Sequence, residues 1–131
     1  MKEATPRTIK LSEYQPPAYL IDAVDLRFDL REQGTRVIAR LAIRHNPDGQ
    51  GGDLRLDGVG LQPVWLRLDG SELSAERYRV DADSLTLSDP PQAFVLESEL
   101  IIAPENNTAL EGLYRSAGMF CTQCEPEGFR K

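Results

Sequence analysis

The stretch Val24-Asp25-Leu26-Arg27-Phe28-Asp29-Leu30 decides the fold class, because apolar and charged residues alternate along it without a break. A period of two places every second side chain on the same face of an extended chain, which is typical of a half-buried β strand. Gly34, which can adopt the positive φ that a tight connection needs, follows three polar residues later. Alternation then resumes from Val37 to Ile43. The two runs predict a long β hairpin.

The predicted hairpin has one apolar face that needs a partner. Val24, Leu26 and Phe28 lie on this face of the first run, and Val37 and Leu41 lie on the corresponding face of the second run. Burial of each such side chain contributes ~1.5–3 kcal/mol. We therefore expect a second layer to cover the hairpin.

Short alternating runs continue along the chain. Turn-forming residues separate them, including the Pro- and Gly-rich loop 46–52, the pairs Asp57-Gly58 and Asp69-Gly70, and the prolines after Asp89. The apolar residues of these runs are Leu54, Leu56, Val64, Leu66, Leu68, Tyr78, Val80, Leu85, Leu87, Phe94, Leu96, Leu100 and Ile102. The pattern predicts an all-β domain, built as an antiparallel sandwich or a curled, saddle-like sheet, with both Asp-Gly pairs as hairpin turns.

The character of the sequence changes after Pro104. Thr108 followed by Glu111 matches a capping box. Gly112 and Gly118 limit any helix there to one or two turns. We expect a short helical or irregular segment in this C-terminal part, and a single domain over residues 1–131.

Composition excludes several classes of protein. The chain is 40% hydrophobic and 27% charged, as in ordinary globular domains. Its net charge of −6, with scattered arginines, would repel a phosphate backbone, so nucleic acid is not an expected partner. No run approaches the ~20 apolar residues of a transmembrane helix, and the first residues lack the apolar core of a signal peptide. We expect a cytoplasmic location.

Cys121 and Cys124 leave three interpretations open. Their spacing would allow both thiolates to bind one zinc ion, but a structural site needs four ligands and the sole histidine, His45, is distant in sequence. A redox pair needs a βαβ setting, which the strand pattern does not offer. Two reduced cysteines, with one or both in the core as small hydrophobes, is the favoured interpretation. We expect His45 to be solvated at a strand end, without a functional role.

Other candidate chemistry is weak. Trp65, Tyr78 and Tyr114 could line a groove for a sugar or peptide, but aromatic residues on alternating strands are more often cross-strand packing pairs. The acidic residues alternate with apolar ones and mark solvated faces. The sequence contains no HExxH motif, no phosphate-binding glycine loop and no Ser/His/Asp set in a usable context.

The C-terminal third carries a family resemblance. Residues 107–116, N-T-A-L-E-G-L-Y-R-S, and residues 121–130, C-T-Q-C-E-P-E-G-F-R, resemble the N-T-x-L-x-G-L-Y-x-S and T-Q-x-E-x-x-G-F-R signatures of aminopeptidase N. Residues 11–19 and the following strand are similar to the opening of the bacterial members, so the resemblance covers nearly the whole chain.

The resemblance implies the N-terminal β domain of a larger zinc exopeptidase, packed on a thermolysin-like catalytic domain. It places the HExxH and GxMEN motifs, and therefore the zinc, outside this segment, so the chain itself should hold no cofactor and should be inactive alone. It also implies that Gln123 and Glu125 lie on a loop that binds the free α-amino group of the peptide substrate. The alternative is a self-contained β-sandwich module that binds a protein or carbohydrate through an edge strand or aromatic face.

Separation from a catalytic domain would leave an apolar patch without cover. The residues expected in this patch are Leu110, Leu113, Tyr114, Met119, Phe120 and Phe129. Because exposed apolar patches favour association, self-association of the chain is expected.

Overall fold

The two alternating runs form the long hairpin that the sequence predicts. In the computed structural model, which describes residues 8–124, strand β1 (Tyr19–Asp29) pairs antiparallel with β2 (Thr35–His45). Leu26 lies opposite Ala39, so apolar side chains of the two strands share one face. Gly34 adopts a φ of 69° in the connection, a conformation that glycine accepts without a steric penalty.

Ten strands arranged in three antiparallel sheets make up the described part of the chain. After the hairpin come β3 (Leu54–Asp57), β4 (Gln62–Leu68), β5 (Ser71–Glu72), β6 (Tyr78–Val80), β7 (Ser84–Leu87), β8 (Ala93–Ile102), β9 (Gly112–Ser116) and β10 (Met119–Gln123). The strand orders are β1-β2-β8-β4-β5, β3-β7-β6 and β10-β9. Single 3-10 turns occupy Leu11–Glu13, Ala75–Arg77 and Pro104–Asn106. The predicted all-β antiparallel class is confirmed.

The core lies between the five-stranded sheet and the three-stranded sheet. Leu87 on β7 is only 1% exposed, and Ile43 on β2 and Leu66 on β4 are each 2% exposed. The complete cluster is Ile43, Leu54, Leu66, Leu85, Leu87, Phe94 and Leu96. Burial of these aliphatic rows is the main force that holds the two sheets together.

The covering layer expected over the hairpin reaches only part of it. On β2, Val37 and Ala39 are buried. On β1, Val24, Leu26 and Phe28 remain 55%, 53% and 49% exposed. The expectation was therefore wrong for β1, because β1 is the outermost strand and the small sheet packs over the strands further in.

Two local predictions in the middle of the chain were also wrong, those for the Asp57-Gly58 turn and for the alternation of Val64 with Leu66. Asp69-Gly70 does form a two-residue hairpin turn between β4 and β5, with φ values of 50° and 83°. Asp57-Gly58, however, carries the chain from the small sheet to the large one. Val64 does not alternate with Leu66, because the register of β4 against β8 shifts between Pro63 and Trp65 and leaves Val64 51% exposed.

The C-terminal segment differs from its prediction as well. One 3-10 turn forms at Pro104–Asn106 and an irregular stretch follows, but β9 and β10 then form a hairpin where a short helical or irregular segment was expected. Thr108 and Glu111 do not cap a helix, because no helix begins there. Within residues 8–124, no helix has the length and apolar character needed to cross a membrane.

Candidate functional site

The candidate site is built on the β9–β10 hairpin. Ser116 pairs with Met119 across a two-residue turn, in which Ala117 and Gly118 have φ values of 50° and 81°. Such a turn matches the right-handed twist of the flanking strands, although a left-handed alanine costs about 1–2 kcal/mol. At the far end of the ladder, Gln123 pairs with Gly112 as the last residue of β10. The hairpin thus holds Gln123 at a fixed register.

Asn107 fixes the entry of the chain into this hairpin. Its side-chain Nδ2 donates to the carbonyl oxygens of Glu111 and Leu113, at 2.7 and 2.9 Å. Its Oδ1 accepts a hydrogen bond from the backbone N–H of Leu110 at 3.2 Å. Leu110 has a φ of 58°, which a leucine rarely adopts and which this clamp stabilises. One amide side chain therefore organises the loop that precedes β9.

Two further contacts attach the hairpin and the 3-10 turn before it to the large sheet. The guanidinium of Arg115 donates to the carbonyl oxygen of Glu32 at 3.2 Å and to that of Gly118 at 3.3 Å, and it stacks on the Phe120 ring. The Glu105 carboxylate accepts a hydrogen bond from the N–H of Gly34 at 2.9 Å. Both Glu32 and Gly34 belong to the connection between β1 and β2. The candidate site is thereby anchored to the tip of the long hairpin.

The structure describes one of the two residues predicted to bind the substrate amine. Gln123 is exposed at the end of β10. Glu125 lies outside the described residues, two positions further along the chain. The role of both residues therefore stays a prediction.

The cysteines lie beside this position. Cys121 and Cys124 are free thiols and are half-buried, so neither belongs to the buried core that the favoured interpretation allowed. The Cys121 thiol donates to the carbonyl oxygen of Met119 at 3.8 Å. Across residues 8–124, no three His, Cys, Asp or Glu side chains come close enough together to hold a metal ion. The described donor set therefore does not fit a zinc centre.

His45 is more enclosed than the sequence suggested. It is half-buried, and its ring packs edge-on against Tyr19 with 5.8 Å between ring centroids. The Tyr19 hydroxyl donates to the carbonyl oxygen of Gly52 at 2.6 Å. Burial, with the nearby charges of Asp89 and Asp53, raises the pKa of Tyr19. This group of contacts closes the loop after β2 over the core, which is a structural role.

The aromatic residues considered for a ligand groove lie on three different sheets. Trp65 is on β4, Tyr78 on β6 and Tyr114 on β9. The Trp65 indole donates to Glu99 at 2.7 Å, and Arg67 stacks on its ring at 4.2 Å. Tyr78 packs against the core from the small sheet. Packing contacts thus account for Trp65 and Tyr78, and the structure does not bring the three rings onto one sheet.

Sequence reasoning missed the residues that position the hairpin. The sequence motif contains Asn107, but it assigns no positioning role to Asn107, Glu105 or Arg115. For Asn107 a usable signal was present, since asparagine side chains bond to nearby backbone in turns and tolerate left-handed neighbours. Glu105 and Arg115 act on residues 71 and 83 positions away, and no local pattern reveals such partners.

Comparison with curated proteins finds clear relatives. Aminopeptidase N of Caulobacter vibrioides is 45% identical over 130 residues, which are 99% of this chain and 15% of that protein. Aminopeptidase N of Escherichia coli is 40% identical over 119 residues, which are 90% of this chain and 13% of that protein. The chain thus spans at most 15% of the length of these two relatives. No family model matches the chain.

Comparison with solved structures also finds peptidases. The crystal structure of Legionella pneumophila aminopeptidase A in complex with aspartic acid superimposes with a TM-score of 0.82 at 33% identity, over 93% of this chain and 15% of that one. The M1 zinc metallopeptidase from Deinococcus radiodurans superimposes with a TM-score of 0.66 over 88% of this chain and 28% of that one. Its identity is only 17%, so this likeness concerns the fold alone.

Proposed function

Because the chain belongs to the aminopeptidase N family along nearly its whole length, we propose that it is the part of a zinc aminopeptidase that holds the α-amino group of the peptide substrate. Gln123 and Glu125 perform this task in the proposal. The observation that carries it is the position of Gln123, exposed at the last residue of a hairpin that Asn107 and Arg115 fix to the domain.

The proposed site matches the chemistry of an ammonium group. A protonated N-terminus offers three N–H donors and one positive charge. The Gln123 carboxamide oxygen and the Glu125 carboxylate supply two acceptors, one of them charged. A peptide without a free N-terminus would leave this carboxylate unpaired, which is unfavourable. The proposed site therefore selects substrates that have a free α-amino group.

In the proposal, the zinc site and the catalytic motifs lie in other portions of a longer polypeptide. A bound zinc ion polarises the scissile carbonyl and activates water in enzymes of this chemical class. In the proposal, this chain holds the amine at a fixed distance from the reacting bond. The domain packs on the catalytic domain of the same polypeptide, and the whole functions in the cytoplasm.

The isolated chain should be catalytically silent. Two charge-assisted contacts contribute ~3–6 kcal/mol gross. Association costs at least ~4 kcal/mol in lost freedom, so little affinity for peptides remains. The purified 131-residue chain should not hydrolyse alanyl or leucyl anilides. Hydrolysis that a chelator inhibits would contradict this expectation.

A chimera tests the proposed amine site directly. This chain would replace the matching 130 residues of the Caulobacter vibrioides enzyme, and hydrolysis of an alanyl anilide would be measured. A charge-assisted hydrogen bond contributes about 1.5–3 kcal/mol. We therefore expect Glu125→Gln to lower kcat/KM by about ten- to a hundredfold, and Gln123→Ala to lower it by a smaller factor.

Glu127→Gln is the matched control, because it removes the same charge two residues further along the chain. It should change kcat/KM less than about twofold. An equal loss in the Glu125 and Glu127 variants would assign the effect to net charge and reject the amine site. Unchanged kinetics in the Glu125 variant would reject it too.

A further inference from the structure

Strand β1 presents an unpaired edge and an exposed apolar row at the same place. It ends the five-stranded sheet, and within residues 8–124 only β2 pairs with it. Val24, Leu26 and Phe28 are each about half exposed on the core-facing side of the sheet. An edge strand of this length offers a row of free backbone donors and acceptors that another strand can use.

The other face of β1 carries two charges of opposite sign: Asp25 lies opposite Arg40 of β2, and Arg27 is near enough to Asp29 to lower the pKa of that carboxyl. Asp22 forms an ion pair with Arg44. Asp25 and Arg27, in contrast, form no ion pair within the described part of the chain. These two side chains are two positions apart on one face of the strand, on either side of Leu26.

We propose that a second copy of this chain pairs antiparallel with β1, in the register that places Leu26 opposite Leu26 of the second copy. In this register, Val24 lies opposite Phe28 on the apolar face. On the other face, each Asp25 lies opposite the Arg27 of the other copy, so the symmetric contact contains two ion pairs. The two five-stranded sheets become one continuous sheet.

The charges select this register over its neighbours. A shift by one residue would place the apolar row of one copy beside the charged row of the other. Centring the contact on Arg27 would oppose two arginines, and centring it on Asp25 would oppose two aspartates. Like charges directly opposite each other destabilise a strand pair. The register centred on Phe28 would also oppose unlike charges, Arg27 and Asp29, but Asp29 already pairs with Arg31. The register centred on Leu26 gives both Asp25 and Arg27 an ion-pair partner and keeps the apolar faces together.

The register shift between Ile21 and Ala23 sets the length of the contact. It interrupts the regular ladder between β1 and β2, so the flat part of β1 runs from Ala23 to Asp29. This seven-residue stretch contains all the residues that the proposed pairing uses. Exposed charges and bulges are also the features with which edge strands avoid unspecific pairing. Here they limit the contact to one partner and one register.

A charge-reversal cycle on the full 131-residue chain tests the proposal. Sedimentation velocity over a range of concentrations should show a monomer–dimer equilibrium. D25R and R27D each place like charges opposite each other and should raise the dissociation constant at least tenfold. The double variant D25R/R27D restores opposite charges and should return the constant to within about threefold of the starting value.

Arg79 on β6 and Asp81 directly after it provide matched controls, since they are also exposed charges of opposite sign two positions apart, and they lie on the small sheet, away from β1. R79D and D81R change the net charge equally and should shift the dissociation constant less than threefold. A monomer up to about 1 mM would overturn the proposal. The proposal would also be overturned if the double variant dissociated as readily as the single variants. It would be overturned too if M119S abolished the dimer, because Met119 lies on the β9–β10 hairpin and not on β1.

Cross-linking reads the register even if a charge variant folds poorly. In a C121S/C124S background, L26C places two thiols directly opposite each other, with Cα atoms about 4.5–5.5 Å apart, within the range of a disulfide. V24C places its two thiols four residues apart along the strand, about 13 Å. L26C should form a disulfide dimer under mild oxidation and V24C should not. Equal cross-linking of the two variants would reject the register.

Discussion

Replacing Asn107 with alanine should loosen the β9–β10 hairpin while the core stays intact. The change removes three hydrogen bonds, two donated to carbonyl oxygens at 2.7 and 2.9 Å and one accepted at 3.2 Å. Each contributes about 0.5–1.5 kcal/mol net, and solvent competes for the two exposed ones, so the expected loss is about 2 kcal/mol. For a chain of this size that corresponds to about 5–10 °C in Tm.

Two neighbouring variants sharpen this test. N107D keeps an acceptor for the Leu110 N–H but turns carboxylate oxygens toward the carbonyls of Glu111 and Leu113, so it should destabilise at least as much as N107A. T108A removes the residue that the capping-box interpretation required, and it should change the free energy of unfolding by less than about 0.5 kcal/mol.

Urea unfolding and amide hydrogen exchange would measure these effects. Urea gives the global free energy of unfolding, and exchange shows whether protection is lost in Gly112–Ser116 and Met119–Gln123 ahead of the other strands. The reasoning is refuted if N107A matches the wild type within 0.5 kcal/mol and keeps its exchange protection. It is also refuted if T108A proves as damaging as N107A.

Two further predictions concern the core and the surface. Leu87 is only 1% exposed in the core cluster, so Leu87→Ala should lower the free energy of unfolding, measured by urea titration, by about 2–5 kcal/mol. Val59 is 61% exposed, so Val59→Ala should change this free energy by less than about 0.5 kcal/mol. Equal effects of the two substitutions would contradict the core assignment. The hydrogen bonds from Arg31 hold the pKa of Asp29 below its ordinary value, so the pair's stabilising contribution is present at neutral pH and is lost as pH falls through the folded-state pKa. In an NMR titration, Arg31→Ala should raise the pKa of Asp29 and Arg55→Ala should not. If the pKa of Asp29 did not change in the Arg31→Ala variant, the pairing would be contradicted.

The two proposed surfaces are connected through one turn. The connection between β1 and β2 carries Glu32, which holds the β9–β10 hairpin through Arg115, and Gly34, which bonds to Glu105 in the 3-10 turn before it. The same connection follows the end of β1, the strand proposed to pair with a second copy. Because Gln123 lies at the end of β10 and not on β1, a dimer through β1 leaves it exposed. The proposals for the amine site and for the dimer can therefore fail independently.

The alternating run around Leu26 was sufficient to predict a strand, and with the runs and turns that follow it predicted the long hairpin and an antiparallel all-β domain. Period-two patterning reflects which side chains share a face, and this is a local property of an extended chain. The turn at Asp69-Gly70 was predictable for the same reason, since its positive φ values depend on adjacent residues. The similarity to aminopeptidase N, 45% identical over 130 residues, also follows from sequence alone.

Tertiary structure decided the features that depend on distant partners. Whether an apolar row is covered depends on strand order, so the sequence could not reveal that Leu26 on β1 stays half exposed while Ala39, opposite it on β2, is buried. The β9–β10 hairpin replaced the expected short helical or irregular segment because its ladder and the hydrogen bond of Arg115 to Glu32 outweigh a weak local capping signal. Local propensity amounts to tenths of a kcal/mol per residue, and long-range contacts that only the fold creates decide between such close alternatives.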